Sequence, residues 1–123
     1  MIALAVATDR GLLVPVFVEP DATDPDTFDA ELRDVVAAAQ KGKVGPAYLG
    51  IANASLSNMG GLGVDRFQAL ITPPQASILA LGSIKSAPGS LCWRSLAWLT
   101  VHADLTVDHR AETASMLPSF SSP

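Results

Sequence analysis

A histidine and a serine are the two side chains of this sequence that occupy positions suited to chemistry. His109 ends an apolar segment and lies between Asp108 and Arg110, where an imidazole can transfer a proton. Ser57 precedes Asn58 and a glycine-rich turn, so its hydroxyl is placed to donate a hydrogen bond. Because acyl transfer needs a base and a donor to the developing oxyanion, the two residues together predict acyl transfer.

Composition limits the chain to a few classes of protein. With 123 residues it forms at most one domain, and 49% hydrophobic residues are enough for a core. Charged residues make up only 16%, and the positive mean hydropathy predicts that some apolar surface is buried against other subunits. The net charge of −4, with scattered basic residues, argues against nucleic acid as a partner.

The sequence also carries expectations about location and bound groups. Cys92 is the only cysteine, so we expect no internal disulfide. We also expect the protein to lie in a reducing compartment. No apolar run approaches the length of a membrane span, and the first residues lack a basic start, so neither an anchor nor a signal peptide is expected. We therefore expect a cytoplasmic protein, or one of the mitochondrial matrix if eukaryotic. No Cys/His cluster has metal-ligand spacing, so no metal is expected.

The first half of the sequence predicts a hairpin and a helix. Residues 2–8 and 12–18 are apolar, β-branched runs on either side of a short polar turn, which predicts an antiparallel hairpin covered on both faces. Residues 25–41 predict a helix with apolar residues at helical spacing. Asp24 is its expected cap, and Gly42 can take the left-handed conformation after its end.

The second half predicts strands. They are expected at residues 51–57, 67–71 and 77–84, with two more within 91–107 around Arg94 or Ala97. Between them, at least one glycine among Gly60, Gly61 and Gly63 is expected to have a positive φ. Asp65 and Arg66 predict an ion pair on the same turn, and His102 predicts a half-buried strand histidine. The expected fold class is α/β, of the α+β sandwich type, with a mixed sheet and helix 25–41 on one face.

Five short segments occur in the order and approximate spacing of one known family. They are residues 10–16 (RGLLVPV), 57–60 (SNMG), 63–67 (GVDRF), 73–79 (PPQASIL) and 108–110 (DHR). On these segments the chain resembles the C-terminal half of the catalytic domain of the dihydrolipoamide acyltransferases, the core component of 2-oxo acid dehydrogenase complexes. The resemblance covers nearly all of residues 2–110, and it implies the fold of chloramphenicol acetyltransferase. Each segment alone is weak, and five in register make the match strong.

The resemblance implies roles for single residues. His109 would be the general base that takes a proton from a thiol of dihydrolipoamide or coenzyme A. Ser57 would hydrogen-bond the tetrahedral oxyanion. The supporting residues would be Asp108, Arg110, Asn58 and Gly60. Coenzyme A or another acyl thioester would be a co-substrate, with no metal, no bound prosthetic group and no lipoyl domain in this chain.

The resemblance also implies assembly and a partial domain. The family forms trimers with active sites between subunits, so we expect a homotrimer or higher oligomer, or a hetero-oligomer with a chain that supplies the first half of the domain. Residues 1–123 are expected to form one partial catalytic domain, and neither nucleic acid nor membrane is an expected partner.

The sequence departs from the family pattern after the histidine. The family reads Asp-His-Arg-x-x-Asp-Gly, whereas this chain has Thr113 and Ala114 at the last two positions, with Glu112 the nearest acid. Residues 111–117 are also shorter than the closing helix of the family. Three functions therefore remain open. They are acyl transfer between thioester and thiol, a non-catalytic core subunit of a dehydrogenase complex, and an acyltransferase of a small-molecule biosynthetic pathway that acts on a hydroxyl.

Overall fold

The computed structural model of the chain describes residues 1–91 and 94–111. The expectations for Cys92 and for residues 112–117, which include Thr113 and the closing helix, lie outside the described residues.

The chain begins with the predicted antiparallel hairpin. Strand β1 (Ile2–Thr8) pairs with β2 (Gly11–Leu13) and then with β3 (Val16–Phe17) in one continuous register. The returning strand is divided at Pro15, which has no N–H to donate, although its carbonyl still accepts a hydrogen bond of 2.9 Å from Leu4 N. The hairpin prediction is confirmed.

Helix α1 (Pro25–Gln40) follows, with both predicted ends. The Asp24 carboxylate accepts a hydrogen bond of 3.2 Å from Thr27 N, which satisfies one free donor of the first turn. At the other end Gly42 has φ 72°, and its N–H donates to Ala39 O at 2.8 Å. The N–H of Lys43 donates to Ala38 O at 2.9 Å. These two bonds form a Schellman motif, so local sequence accounts for the whole extent of the helix.

The main sheet is mixed, as predicted. Its strand order is β2-β1-β4-β5-β8, with β3 also paired to β1, where β4 is Ala54–Asn58, β5 is Ser77–Leu81 and β8 is Ala103–Val107. β1, β4 and β5 are parallel to one another, and β8 runs antiparallel to β5. A separate two-stranded hairpin of β6 (Lys85–Leu91) and β7 (Arg94–Thr100) lies between β5 and β8 in the sequence.

One face of the main sheet is covered by α1. Val35 and Ala39 of the helix are buried, and the Phe17 ring contacts Phe28 of the helix edge-on, with centroids 5.5 Å apart. Tyr48 packs on Phe17 as well, and its hydroxyl donates to Glu31 Oε1 at 2.9 Å. This hydrogen bond, together with burial, raises the pKa of Tyr48. The helix on one face of the sheet agrees with the prediction.

Four strand predictions are corrected, and the first is that the strand expected at 51–57 begins only at Ala54. Residues 67–71 form no strand, because β4 is already paired on both sides, with β1 and with β5, and the intervening chain must instead carry the crossover between two parallel strands. The strand expected at 77–84 ends at Leu81, since Gly82 packs against the backbone of Asp65. Within 91–107 a break between strands was expected around Arg94 or Ala97, but the described break lies at residues 101–102, between β7 and β8. Strand β6 was not predicted.

The opposite face of the hairpin is less covered than predicted. Leu12 is 64% exposed and Val14 is 41% exposed, and both lie on the sheet face away from α1. One chain therefore does not cover both faces of the hairpin, and the expected cover of the second face stays a prediction about contacts with other subunits. Because α1 covers only the other face, these apolar side chains remain available for contacts outside the chain.

Candidate active site

Ser57 lies on an inner strand, on the sheet face away from α1. It belongs to β4 and pairs with Ala5 of β1 on one side and Ala80 of β5 on the other. Its side chain is partly buried and lines a cavity of about 270 Å³. Alternation along the strand places Ser55 on the same face, where it lines the same cavity and bonds Gln75 Oε1. Ser57 thus presents its hydroxyl to a partly enclosed space and not to the core.

The turn after Ser57 is held by close backbone contacts. Asn58 Oδ1 accepts a hydrogen bond of 2.9 Å from Gly60 N, and Ser83 Oγ bonds Gly60 O at 2.9 Å. A Cβ added at Gly60 would lie 2.6 Å from Gly82 O, so no larger residue fits there without a backbone shift. Asn58 and Gly60 therefore fix the path of the chain directly after the serine.

Gly63 completes this turn in the left-handed conformation. Its φ is 79°, which confirms that at least one glycine of the segment has a positive φ. Sequence reasoning missed Gly82 and Ser83, which hold the turn from the β5 side. The available signal was the glycine at the end of an apolar strand, a position that often marks close backbone approach.

His109 lies in a turn directly after β8, exposed to solvent. The Ala111 N–H donates to Asp108 O at 2.9 Å to close the turn, and the Asp108 N–H donates to Ala76 O at 2.7 Å, which anchors the turn beside the start of β5. The predicted half-buried histidine, His102, is also exposed, because it lies in the connection between β7 and β8 and not within a strand. That expectation for His102 was wrong.

Asp108 and Arg110, on either side of His109, bond each other. Arg110 Nη2 lies 2.7 Å from Asp108 Oδ2, and Arg110 Nε lies 3.0 Å from Oδ1. These hydrogen bonds, with one from the Arg110 backbone N–H, lower the pKa of Asp108 to about 2 and raise that of Arg110. The carboxylate is therefore charged at neutral pH and is engaged by arginine. Together the two side chains brace the turn that carries His109.

The serine and the histidine of one chain do not share a cleft. β5 separates β4 from β8, and Val107 pairs with Ser77, which pairs with Ala54 at the far end of β4 from Ser57. Three residue rises of about 3.3 Å and two strand spacings of about 4.8 Å put Val107 about 14 Å from Ser57 between Cα atoms. His109 lies beyond Val107 in the sequence, so one substrate sulfur cannot contact both side chains of the same chain.

The predicted ion pair between Asp65 and Arg66 does not form. Lys85 Nζ lies 2.6 Å from the Asp65 carboxylate, and Arg66 makes a two-pronged contact with Asp104, with Nη2 2.8 Å from Oδ1. The hydrogen bond from Arg66 lowers the pKa of Asp104 and raises that of Arg66. Both partners are distant in the sequence, Lys85 on β6 for Asp65 and Asp104 on β8 for Arg66.

The described part of the chain offers no group of three or more His, Cys, Asp or Glu side chains that could hold a metal ion. Within the same residues, no helix has the length and hydropathy needed to cross a membrane.

The structure is thus an α/β domain with a mixed sheet, which carries a serine on an inner strand and a histidine after an edge strand. The sequence profile of the family of 2-oxoacid dehydrogenases acyltransferase (catalytic domain) matches residues 1–120. The chain belongs to this family.

Relatives and solved structures support the assignment. The dihydrolipoyllysine-residue acetyltransferase component of the pyruvate dehydrogenase complex from Zymomonas mobilis is 32% identical, over 97% of this chain and 28% of its own length. The dihydrolipoamide acetyltransferase of Azotobacter vinelandii superposes with a TM-score of 0.81 at 26% identity, over 93% of this chain and 47% of that one. The cubic core of the pyruvate dehydrogenase multienzyme complex superposes with a TM-score of 0.82 at 26% identity, over the same shares of each chain. The chain thus spans less than half the length of these proteins.

The Azotobacter vinelandii structure concerns the catalytic roles of a serine, a histidine and an asparagine in that enzyme. Its serine and histidine have the same sequence separation as Ser57 and His109, and its asparagine follows the histidine by four positions. This chain has Thr113 four positions after His109.

Proposed function

We propose that this chain transfers an acyl group between a coenzyme A or lipoyl thioester and a thiol acceptor, at a site formed by two copies of the chain. Ser57 of one copy would donate to the oxyanion, and His109 of a neighbouring copy would act as the base. The observation that carries the proposal is that both residues are present at the separation found in the Azotobacter vinelandii enzyme, with a similar fold around them.

Two copies are needed because of the strand order. Ser57 and His109 of one chain lie about 14 Å or more apart by sheet geometry, at opposite ends of the strands. A thioester carbonyl and its attacking sulfur span only a few ångströms, so base and donor must meet across an interface. The exposed position of His109 and the exposed Leu12 and Val14 near the Ser57 cavity are consistent with such a contact.

The reaction needs one proton to move twice. Neutral His109 accepts the proton of the acceptor thiol, and the resulting thiolate attacks the thioester carbonyl. The tetrahedral oxyanion then accepts a hydrogen bond from the Ser57 hydroxyl, an interaction worth about 3 kcal/mol for comparable donors. Collapse of the intermediate breaks the bond to the donor sulfur, and that thiolate takes the proton back from the imidazolium.

Asp108 and Arg110 support this base without sharing its role. The pKa of Asp108 is lowered to about 2 by its hydrogen bonds to Arg110, so its carboxylate has little basicity at neutral pH. The ion pair and the backbone bond to Ala76 O hold the turn, which leaves the imidazole of His109 as the proton acceptor.

The test is an assay of acetyl transfer from acetyl-coenzyme A to dihydrolipoamide. His109→Ala should abolish transfer. Ser57→Ala should lower kcat about a hundredfold with little change in KM, because the hydrogen bond is made mainly in the transition state. Val18→Ala, an exposed side chain outside the cavity, is the control and should leave both constants unchanged. Equal activity of wild type and His109→Ala would refute the proposal.

A non-catalytic core subunit is the second candidate. It is favoured by Thr113, which replaces the asparagine that follows the histidine in the Azotobacter vinelandii enzyme. In that case the purified assembly would show no acetyl transfer, and Thr113→Asn is the variant that should restore it.

A further inference from the structure

We propose that Gln75 is a positioning residue that acts on two parts of its chain at once, the strand that carries Ser57 and the turn that carries His109. The proposal rests on the acyltransferase function above, in which these two parts belong to two different complete sites. One glutamine would then set the geometry of two neighbouring sites, through a side-chain hydrogen bond and the backbone that follows it.

The side chain of Gln75 is bonded to the serine strand. Its Oε1 accepts a hydrogen bond from the hydroxyl of Ser55, which lies two residues before Ser57 on the same face of β4. Ser55 is only 7% exposed, so its hydroxyl needs a partner inside the protein. All three side chains line one cavity. Gln75 therefore holds the strand directly next to the proposed oxyanion donor.

The other side chains beside Ser57 are short. Its partners on the adjacent strands are Ala5 of β1 and Ala80 of β5, and each of them presents a single methyl group. Neither methyl is long enough to reach over the serine and hold it in place. The next side chain on this face of β4 is Ser55, so the contact with Gln75 is the nearest polar support for the serine along its own strand.

The residue after Gln75 is bonded to both parts of the chain. The Ala76 carbonyl accepts a hydrogen bond of 2.7 Å from the N–H of Asp108, which directly precedes His109. The Ala76 N–H donates at 2.8 Å to the carbonyl of Asn53, the residue before β4. Ala76 thus bridges the serine strand and the histidine turn, and a shift of this segment would move both.

Of these three hydrogen bonds, only the one with Ser55 depends on a side chain at residue 75 or 76. The two bonds of Ala76 join backbone groups, whereas the bond from Ser55 needs an acceptor at the end of a side chain. Loss of the Gln75 acceptor would release the segment before β5 from the face of β4. The serine and the histidine would both lose support, and a misplacement of about 1 Å can lower a rate about a hundredfold.

The first experiment measures acetyl transfer from acetyl-coenzyme A to dihydrolipoamide by the assembled protein. Gln75→Leu keeps a side chain of similar size and removes the acceptor, and it should lower kcat about tenfold with little change in KM. Gln68→Leu makes the same substitution at an exposed glutamine outside the cavity and should leave both constants unchanged. An unchanged kcat for Gln75→Leu, even with a lower urea midpoint, overturns the positioning role and leaves the acyltransferase function standing. No transfer by the wild type overturns the function itself.

Ser55→Ala removes the same hydrogen bond from its other end. It should lower kcat about as much as Gln75→Leu does, and the double variant should be no slower than the slower single variant, because both changes remove one interaction. Two falls that multiply would show that the residues act separately, which overturns the proposed contact. If Gln75→Leu does not assemble, Ser55→Ala tests the bond with a smaller change, and a full kcat for it overturns the proposal.

Mixed assemblies separate the two effects of Gln75. When Ser57→Ala and His109→Ala chains assemble together, a complete site takes its serine from the His109→Ala chain and its histidine from the Ser57→Ala chain. Gln75→Leu in the His109→Ala chain therefore tests the serine side, and in the Ser57→Ala chain it tests the histidine side. Each mixture should be about threefold slower than the mixture without Gln75→Leu, since two such falls multiply to the tenfold fall in kcat. A fall in only one mixture overturns the action on both sides.

Discussion

Mixing two inactive variants tests whether the site lies between copies of the chain. Ser57→Ala keeps an intact histidine, and His109→Ala keeps an intact serine. Because the two side chains of one chain are about 14 Å or more apart by sheet geometry, the proposed site would take them from different copies. Co-assembly of the two variants should therefore rebuild some sites in which both residues are intact.

The recovered activity has a definite size. In a random one-to-one assembly, the copy that supplies the serine is intact half of the time, and so is the copy that supplies the histidine. About a quarter of the sites are then complete, so the initial rate should reach about a quarter of the wild-type rate in a closed ring of head-to-tail contacts. Each variant alone should show at most about a hundredth of the wild-type rate.

The assay is acetyl transfer measured on co-expressed, co-purified chains. The matched control replaces the His109→Ala chain by one that carries both substitutions, because no assembly of that chain with Ser57→Ala contains an intact serine. The control should stay at or below the level of Ser57→Ala alone. If the two single variants also stay at that level after mixing, while light scattering shows that they assemble together, the serine and histidine of one chain act on each other and the sheet-based separation is wrong.

Three further predictions concern assembly, packing and pH. Because α1 covers one sheet face and Leu12 is exposed on the other, the chain should not persist as a stable monomer, and light scattering at micromolar concentration should show trimers or larger species; a folded monomer would contradict this. Gly82→Ala should destabilise the fold by about 2 kcal/mol or more in urea unfolding, since its Cβ would lie 1.8 Å from Asp65 O, whereas Gly61→Ala, with open space around it, should change stability little. The Asp108–Arg110 pair lowers the pKa of Asp108 to about 2, so its stabilisation is complete above the unfolded-state pKa of about 4 and is lost as pH falls through about 2; Asp108→Asn should shift the urea midpoint much less at pH 2 than at pH 7, and an equal shift at both would show that charge is not the cause.

Elements whose ends are set by neighbouring residues could be predicted from the sequence. α1 begins at a cap that lies next to it and ends at a glycine two residues after it, so no distant contact is needed to place either end. The β1–β2 hairpin is also local, because its turn lies between its strands. The positive φ of Gly63 follows from the same kind of reasoning.

Features that depend on which strands become neighbours could not be predicted. The partners of Asp65 and Arg66 are Lys85 and Asp104, both distant in sequence, and a pairing of adjacent residues was the only one that local reasoning offered. Residues 67–71 have the composition of a strand, but β4 and β5 pair directly and leave no open edge between them. Gly82 acts through a backbone contact that the sequence cannot specify.

The candidate site also combines a part that the sequence predicts with a part that depends on strand order. Residue types and motif spacing identify Ser57 and His109, but only the strand order tells how far apart they are. β8 pairs antiparallel with β5, which is parallel to β4. The turn after β8 and the turn after β4 therefore lie at opposite ends of the strands. Under the proposed function, each copy would therefore carry a serine half-site at one end and a histidine half-site at the other. Two unlike surfaces on one chain would then meet in a head-to-tail contact, and a ring closed by such contacts would have one complete site for every copy.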